Sequence, residues 1–107
     1  IFLGMGPDGH TASLFPETAA LQERGKPVTN NFVPKLNTNR LTLTAPSINR
    51  AANVIFLITG DSKAEALKEV LEGEYQPQIY PSQLIKPGNG QLTFLVDEAA
   101  AANLTHK

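Results

Sequence analysis

The 107-residue sequence predicts an α/β layered domain whose mostly parallel sheet is flanked by helices. Short apolar runs alternate with helical patterns along the chain, as in parallel strands joined by crossover helices. The run Val54-Ile55-Phe56-Leu57-Ile58 is continuously apolar, which is typical of a strand buried on both faces. The length and the 41% hydrophobic content fit one domain over residues 1–107.

The first half of the chain predicts two regular strands, a weak one and a short helix. The predicted elements are a strand at 1–5, a helix at 9–15, helix end and loop at 17–27, a weak strand at 28–33, a turn at 37–39 and a strand at 40–44. Pro16 ends the short helix because proline removes a backbone donor. The alternation in the last strand places Arg40, Thr42 and Thr44 on one face, which we expect to line a pocket.

The second half predicts the strongest helix and two further strands. Its elements are a short helix at 47–52, a strand at 53–59, a helix at 63–71, a loop at 75–90 with one helical turn at 82–85, a strand at 91–96 and a final helix from Asp97 to a frayed tail at His106. The helix at 63–71 is amphipathic, its start resembles a capping box from Ser62 to Glu65, and Gly73 ends it.

Composition excludes several functional classes. The formal net charge of -1 gives no basic footprint for nucleic acid and no attraction to an anionic membrane. The absence of cysteine removes disulfides and thiol nucleophiles, and it suits a reducing cytoplasm. The apolar runs are too short to span a bilayer. We therefore expect a cytoplasmic protein whose partners are small molecules. Because Ile1-Phe2-Leu3 reads as the end of a buried strand, we also expect the chain to be a fragment.

Three glycines lie at the junction between the first predicted strand and the first predicted helix. Gly4, Gly6 and Gly9 match the G-x-G-x-x-G pattern of dinucleotide-binding turns. That pattern requires an acidic residue about 20 positions further on, and residues 28–35 contain no carboxylate. A proline and an aspartate also occupy the turn where a pyrophosphate would lie. The glycines therefore predict close backbone approach to a ligand other than a dinucleotide.

Asp8 and His10 lie two residues apart in this turn. Taken singly, the aspartate is typical of a turn or an N-cap, and the histidine of a local hydrogen bond. Together they predict a general base, because a carboxylate can fix the tautomer of an imidazole. Ser13 completes no hydrolase triad, since the chain contains no G-x-S-x-G elbow. Two histidines without clustered carboxylates predict no metal site.

Two basic residues further along are candidate anion ligands. Lys63 lies in the first turn of its predicted helix, where the macrodipole favours anions. This position is consistent with an exposed lysine and with a lysine that binds a phosphate. In the second case the backbone N–H groups of residues 60–63 would share that phosphate. Arg40, at the start of its strand, is either a solvated charge or a second, bidentate phosphate ligand.

Three segments in order resemble one enzyme family. LGMGPDGHTASLFP, NRLTLTAPSINRAANVIFLITGDSKAEALKEVL and LTFLVDEAAA resemble the C-terminal half of the 6-phosphogluconolactonases. The resemblance covers nearly the whole chain. It implies a Rossmann-like α/β fold of the sugar-phosphate isomerase/CoA transferase type, and hydrolysis of 6-phospho-D-glucono-1,5-lactone to 6-phosphogluconate in the pentose phosphate pathway. It implies no metal or redox cofactor.

The resemblance also implies roles for individual residues. His10 becomes the general base that activates water, with Asp8 beside it, and Arg40 and Lys63 match basic positions that hold the sugar phosphate. N–H groups of the glycine turn, at Gly4, Gly6 and Gly9, are expected to stabilise the oxyanion. The family's N-terminal half, with its own glycine-rich loop and further substrate contacts, is missing here. The chain alone is therefore expected to be inactive or feeble.

Two alternatives stay open. The related glucosamine-6-phosphate deaminases and isomerases have a catalytic glutamate five residues after the histidine. Phe15 occupies that position here, which favours the lactonase. The other alternative is a non-catalytic sugar-phosphate binding module, which would keep Arg40 and Lys63 and dispense with proton transfer by Asp8 and His10.

Overall fold

The computed structural model describes residues 1–105. Its strands are β1 (Phe2–Leu3), β2 (Val28–Val33), β3 (Thr38–Leu43), β4 (Asn53–Ile58) and β5 (Gln91–Val96), and its α-helices are α1 (Ala45–Ile48) and α2 (Ala64–Glu72). Short 3-10 helices cover Ala19–Gln22, Pro34–Leu36, Asp61–Lys63 and Pro81–Leu84. The predicted α/β class with a parallel sheet is confirmed, as is a helical turn near residues 82–85.

The central sheet is parallel, with strand order β1-β4-β5. Leu3 pairs with Phe56, and Phe56 with Phe94. The rings of Phe56 and Phe94 stack with centroids 4.7 Å apart. This face of the sheet meets the main hydrophobic cluster, to which α2 contributes Ala66 and Leu67. Burial of this face supplies the main stabilisation of the fold.

The opposite face of the central sheet is bare, so the prediction that β4 is buried on both faces is wrong. The side chains of β4 alternate between buried and accessible, and Leu57 is 50% exposed. Its neighbour Leu95 is 51% exposed, and Phe2 on β1 is 69% exposed. A continuous apolar run in the sequence does not reveal whether other elements cover both faces of its strand.

Strands β2 and β3 form a separate antiparallel pair. The polar face of β3 was expected to line a pocket, but Thr42 and Thr44 are buried and Leu41 is 76% exposed. Thr42 Oγ1 accepts a hydrogen bond from the backbone N–H of Ser13 at 3.1 Å. On β2, Asn31 Nδ2 donates to the Ser13 carbonyl at 3.0 Å. The polar face therefore holds the segment that follows the glycine turn.

Two predicted helices are absent from residues 1–105. Residues 9–15 form tight turns with a bridge between Thr11 and Leu14, because Ala12 adopts a left-handed φ of 51° that a helix excludes. Residues 98–103 form successive turns. Asp97 does cap this segment, accepting from the Ala100 N–H at 2.8 Å. The predicted tail at His106 lies outside the described residues.

The ends of the remaining helices differ in detail from prediction. Thr44 caps α1, accepting from the Ser47 N–H at 3.4 Å, so this helix begins two residues early. The predicted capping box of α2 does not form, because a 3-10 turn precedes the helix and Lys63 takes the N-cap position without a side-chain cap. Gly73 ends α2 as predicted. Within residues 1–105, no helix is long and apolar enough to cross a membrane.

Candidate functional site

The glycine turn starts where β1 ends, at the carboxyl edge of the central sheet. The Gly6 N–H donates to the His10 carbonyl, and the Gly9 N–H to the Gly6 carbonyl, both at 2.9 Å. Gly9 has a φ of +84°, which side chains rarely allow, and an added Cβ would meet the Tyr80 ring. The N–H groups of Gly6 and Gly9 are thus occupied within the turn, and the expectation that they stabilise an oxyanion is wrong for these two.

Two further contacts fix this turn to the rest of the fold. Thr11 Oγ1 donates to the Gly4 carbonyl at 2.8 Å. Ser82 donates to the Gly9 carbonyl through both its backbone N–H, at 3.0 Å, and its hydroxyl, at 2.8 Å. Ser82 is 73 residues away from Gly9 in sequence. The turn is therefore held on both sides by hydrogen bonds that do not depend on a ligand.

The turn brings Asp8 and His10 into contact. Asp8 Oδ1 lies 2.6 Å from Nδ1 of His10 and also accepts from the His10 backbone N–H at 3.1 Å. The imidazole stacks on the Phe15 ring, with centroids 4.1 Å apart and planes 17° apart. Its side chain is 28% exposed. Two groups therefore fix the ring while its Nε2 has no hydrogen-bond partner among residues 1–105.

Lys35 is a third member of this site, and the sequence analysis missed it. Its Nζ lies 2.7 Å from Asp8 Oδ2 and 5.9 Å from the centroid of the Phe15 ring. The 3-10 helix after β2 carries it there from 27 residues away. The sequence holds one weak signal for it, a basic residue two positions after the end of a predicted strand.

These partners keep Asp8 ionised. Burial alone would raise the pKa of its carboxyl, but hydrogen bonds from Lys35 and His10 outweigh that effect and lower the pKa from 3.8 to about 2. An ionised carboxylate carries no proton, so the short contact to His10 requires Nδ1 to donate. In the neutral imidazole, Nε2 then holds the free lone pair.

The low pKa of Asp8 predicts a loss of stability in acid. A carboxyl whose pKa is lower in the folded than in the unfolded state stabilises the fold above the unfolded value, here near 3.8. That contribution disappears as the pH falls through about 2. Between roughly pH 5 and pH 2, we expect the unfolding free energy of the chain to fall by up to about 2 kcal/mol more than that of the Asp8→Asn variant.

Denaturant titrations of the chain and of Asp8→Asn across this pH range measure the difference. Lys35→Met is the matched variant, since it keeps the carboxyl but removes its cation, and its pH dependence should lie between the other two. Parallel curves for the chain and Asp8→Asn would contradict the assignment.

Open pockets lie on both sides of the pair. One of about 380 Å³ is lined by Gly4, Met5, Gly6, His10, Thr11 and Ala12. The other, of about 400 Å³, is lined by Asp8, Phe15, Pro16, Glu17, Thr18, Val33, Pro34 and Lys35. His10 therefore borders a space that can hold a small solute, with the Asp8–Lys35 pair opening onto the other side. Within residues 1–105, acidic and histidine side chains form no cluster that could hold a metal ion.

The two predicted phosphate ligands lie outside these pockets. Arg40 is exposed on β3, opposite Asn31. Lys63 follows β4, and because β1 and β4 are parallel neighbours, it lies at the same sheet edge as the glycine turn. The predicted anion cradle at residues 60–63 is incomplete, because the Gly60 N–H donates to the Asp97 carboxylate at 3.2 Å.

Comparison with known proteins identifies relatives over almost the whole chain. Residues 1–94 match the family described as glucosamine-6-phosphate isomerases/6-phosphogluconolactonase. The chain is 46% identical to human 6-phosphogluconolactonase, covering 98% of the chain and 41% of the relative. It is 48% identical to the 6-phosphogluconolactonase of Synechocystis, covering 97% of the chain and 42% of the relative.

A solved structure gives the same result. The 6-phosphogluconolactonase of Trypanosoma brucei superposes with a TM-score of 0.83 at 32% identity, over 97% of this chain and 40% of that one. The chain thus spans about two fifths of the length of the relatives it matches. The comparisons confirm the predicted family. They do not confirm the expectation that the chain is the C-terminal half.

Proposed function

The chain belongs to the glucosamine-6-phosphate isomerase/6-phosphogluconolactonase family, and on that premise we propose that it supplies the proton-transfer part of a lactonase active site. The proposed reaction is hydrolysis of 6-phospho-D-glucono-1,5-lactone to 6-phosphogluconate, a step of the pentose phosphate pathway. The observation that carries the proposal is the Asp8–His10 contact, beside which Nε2 borders an open pocket and has no hydrogen-bond partner among the described residues 1–105. A cytoplasmic location belongs to the same proposal.

In the proposed mechanism, His10 acts as both base and acid. Nε2 takes a proton from water as the water oxygen bonds to the lactone carbonyl carbon. The resulting tetrahedral intermediate collapses by breaking its bond to the ring oxygen, and Nε2 returns the proton to that oxygen. The Asp8 carboxylate holds Nδ1–H throughout and stabilises the transient imidazolium. Its own low pKa keeps it from taking the proton itself.

Lys35 completes this arrangement as a positioning residue. Its ammonium binds the carboxylate oxygen that His10 does not use, so each Asp8 oxygen has a separate partner. The carboxylate is thus held in one orientation, which fixes the imidazole. Because proton transfer depends steeply on geometry, this support affects turnover more than binding.

The phosphate of the substrate is assigned to Lys63 and Arg40. Lys63 lies at the sheet edge where the glycine turn begins, and ligands bind at the carboxyl ends of parallel strands in open α/β sheets. Gly4 and Gly6 line the pocket beside His10 and let the backbone approach the sugar ring there, whereas Gly9 packs against Tyr80. Binding energy from the remote phosphate then positions the reacting carbon beside His10.

The deaminase alternative is disfavoured at one position. Its catalytic carboxylate would occupy the place of Phe15, whose ring here stacks on the imidazole and offers no proton. A non-catalytic binding module is disfavoured by the Asp8–His10 pair, whose fixed geometry a phosphate-binding role does not require. Both alternatives predict no lactone hydrolysis.

The proposed function is tested in a family-length protein, in which this chain replaces the matched segment of human 6-phosphogluconolactonase. We expect the family-length protein to hydrolyse the lactone well above the spontaneous rate, and not to deaminate glucosamine-6-phosphate. The chain alone should show little or no hydrolysis, because it spans 41% of that relative. Equal rates for the two proteins, or no activity in either, would overturn the proposal.

A further inference from the structure

A fully buried amide on β2 takes no part in the mechanism proposed above. Asn31 Nδ2 donates to the Ser13 carbonyl at 3.0 Å and to Thr18 Oγ1 at 2.9 Å, and its Oδ1 accepts from the Ala20 N–H at 3.1 Å. An apolar side chain of similar size would fill this space without the cost of burying an amide. A fully bonded polar network instead fixes one conformation of the segment that it contacts.

Thr18 extends this network to the Phe15 backbone. Its Oγ1 accepts from Asn31 and donates to the Phe15 carbonyl at 2.7 Å, so the hydroxyl acts as acceptor and donor at once. The Phe15 ring stacks on His10. A continuous series of contacts therefore leads from the amide on β2 to the face of the imidazole.

The stacked ring restrains a motion of His10 that the Asp8 contact leaves free. The hydrogen bond to Asp8 holds Nδ1, but the imidazole can still tilt about that bond. Stacking on Phe15, with the two planes 17° apart, restrains the tilt. Reacting groups have to be held within roughly 10–20° of the productive geometry. The position of Phe15 therefore helps to determine where Nε2 points.

One hairpin supports both contacts of the imidazole. Lys35, which lies between β2 and β3, binds the Asp8 carboxylate. Asn31 on β2 and Thr42 on β3 bind the carbonyl and the N–H of Ser13. The hairpin thus holds the chain on both sides of His10.

We propose that Asn31 and Thr18 are positioning residues, which hold the plane of the His10 ring through Phe15. The inference rests on the proposed function, because it concerns the orientation of the base in that reaction. The substrate phosphate is assigned to other residues, so loss of the network should lower kcat and leave KM nearly unchanged.

The first test is Thr18→Val in the family-length protein. Valine resembles threonine in shape but lacks the hydroxyl, so the Phe15 carbonyl and one N–H of Asn31 lose their partner. We expect kcat for the lactone to fall by about tenfold or more, and KM to change by less than about twofold. Thr18→Ser keeps the hydroxyl and should retain kcat within about threefold of the parent.

Thr29→Val is the matched control. Thr29 lies on the same strand, and its hydroxyl makes no hydrogen bond within residues 1–105. Its replacement should leave kcat within about twofold of the parent. Asn31→Ser is a second variant in case Thr18→Val does not fold, which circular dichroism monitors. It removes the amide donor, keeps the Thr18 hydroxyl and should lower kcat severalfold.

A double variant shows whether Thr18 acts through Phe15. Phe15→Leu removes the stacked ring and should by itself lower kcat with little change in KM. Adding Thr18→Val should deepen that loss by less than about twofold, because the contact through which Thr18 acts is already absent.

Proton NMR of the chain reports the stacking without any reaction. The ring current of Phe15 moves the ring protons of a stacked imidazole upfield. At alkaline pH, where an imidazole is neutral, the His10 signals should move downfield in Thr18→Val. They should keep their parent positions in Thr18→Ser and Thr29→Val.

Three outcomes would overturn the proposal. They are unchanged kcat or unchanged His10 signals in a folded Thr18→Val variant, equal losses in Thr18→Val and Thr18→Ser, and losses of Thr18→Val and Phe15→Leu that multiply in the double variant. A family-length parent that does not hydrolyse the lactone would instead contradict the proposed function. The NMR signals of the chain would then still decide whether Thr18 holds the imidazole plane.

Discussion

Replacing His10 with asparagine in the family-length protein should lower kcat for the lactone by about 10²–10⁴-fold. Asparagine is similar in size and can still donate to the Asp8 carboxylate. It cannot accept and return a proton, because its amide nitrogen has no basic lone pair. The variant therefore removes the chemistry attributed to Nε2 while leaving the turn in place. Stopped-flow hydrolysis, corrected for the spontaneous reaction, measures the loss.

Binding distinguishes this loss from a general disruption. The phosphate is assigned to Lys63 and Arg40, so the dissociation constant of 6-phosphogluconate should change by less than about threefold in His10→Asn. Calorimetry on the same preparations provides that value. Unchanged kcat would remove His10 from the mechanism, and loss of both kcat and binding would indicate that the imidazole supports the site rather than the reaction.

The second large effect is expected from Gly6→Ala. A Cβ at Gly6 would overlap Cε1 and Nδ1 of the His10 ring and would lie 2.9 Å from Asp8 Oδ1. The imidazole has to move away, which breaks its alignment with both Asp8 and the substrate. A displacement of the imidazole by about 1 Å costs on the order of a hundredfold in rate. Turnover should therefore fall strongly although no reacting group has been removed.

Gly88→Ala is the matched control for this substitution. An added Cβ at Gly88 meets nothing within 4 Å, and Gly88 lies in a loop outside the site. Its activity should equal that of the parent within about twofold. If Gly6→Ala retained the parent rate while folding normally, the tight packing of the turn around the imidazole would have no catalytic role.

Local patterns predicted much of the central sheet. Strand β5 covers the predicted residues 91–96, and Gly73 ends α2 as predicted because a C-cap is a local feature. Prediction was wrong for the helix at 9–15. There Ala12 is left-handed, and the side chains of Thr42 and Asn31 bond the Ser13 N–H and carbonyl that a helix would use. Tertiary contacts determined this segment.

The candidate site was predictable only where its parts are adjacent in sequence. Asp8 and His10 are two residues apart, and their contact follows from the turn that contains them. Lys35 reaches the same carboxylate from 27 residues away, through a hairpin whose packing the sequence does not specify. The alternation in β3 likewise revealed two faces without revealing which one is buried.

The central claim is that the Asp8 carboxylate holds the proton of His10 on Nδ1 and leaves Nε2 as the basic atom. Long-range proton–nitrogen NMR spectra of the neutral imidazole, recorded on the nitrogen-labelled chain at alkaline pH, test this most directly. The His106 signals are identified by their loss in His106→Asn. We predict that Nδ1 of His10 carries the proton and that Nε2 resonates as an unprotonated nitrogen. A proton on Nε2 would contradict the account.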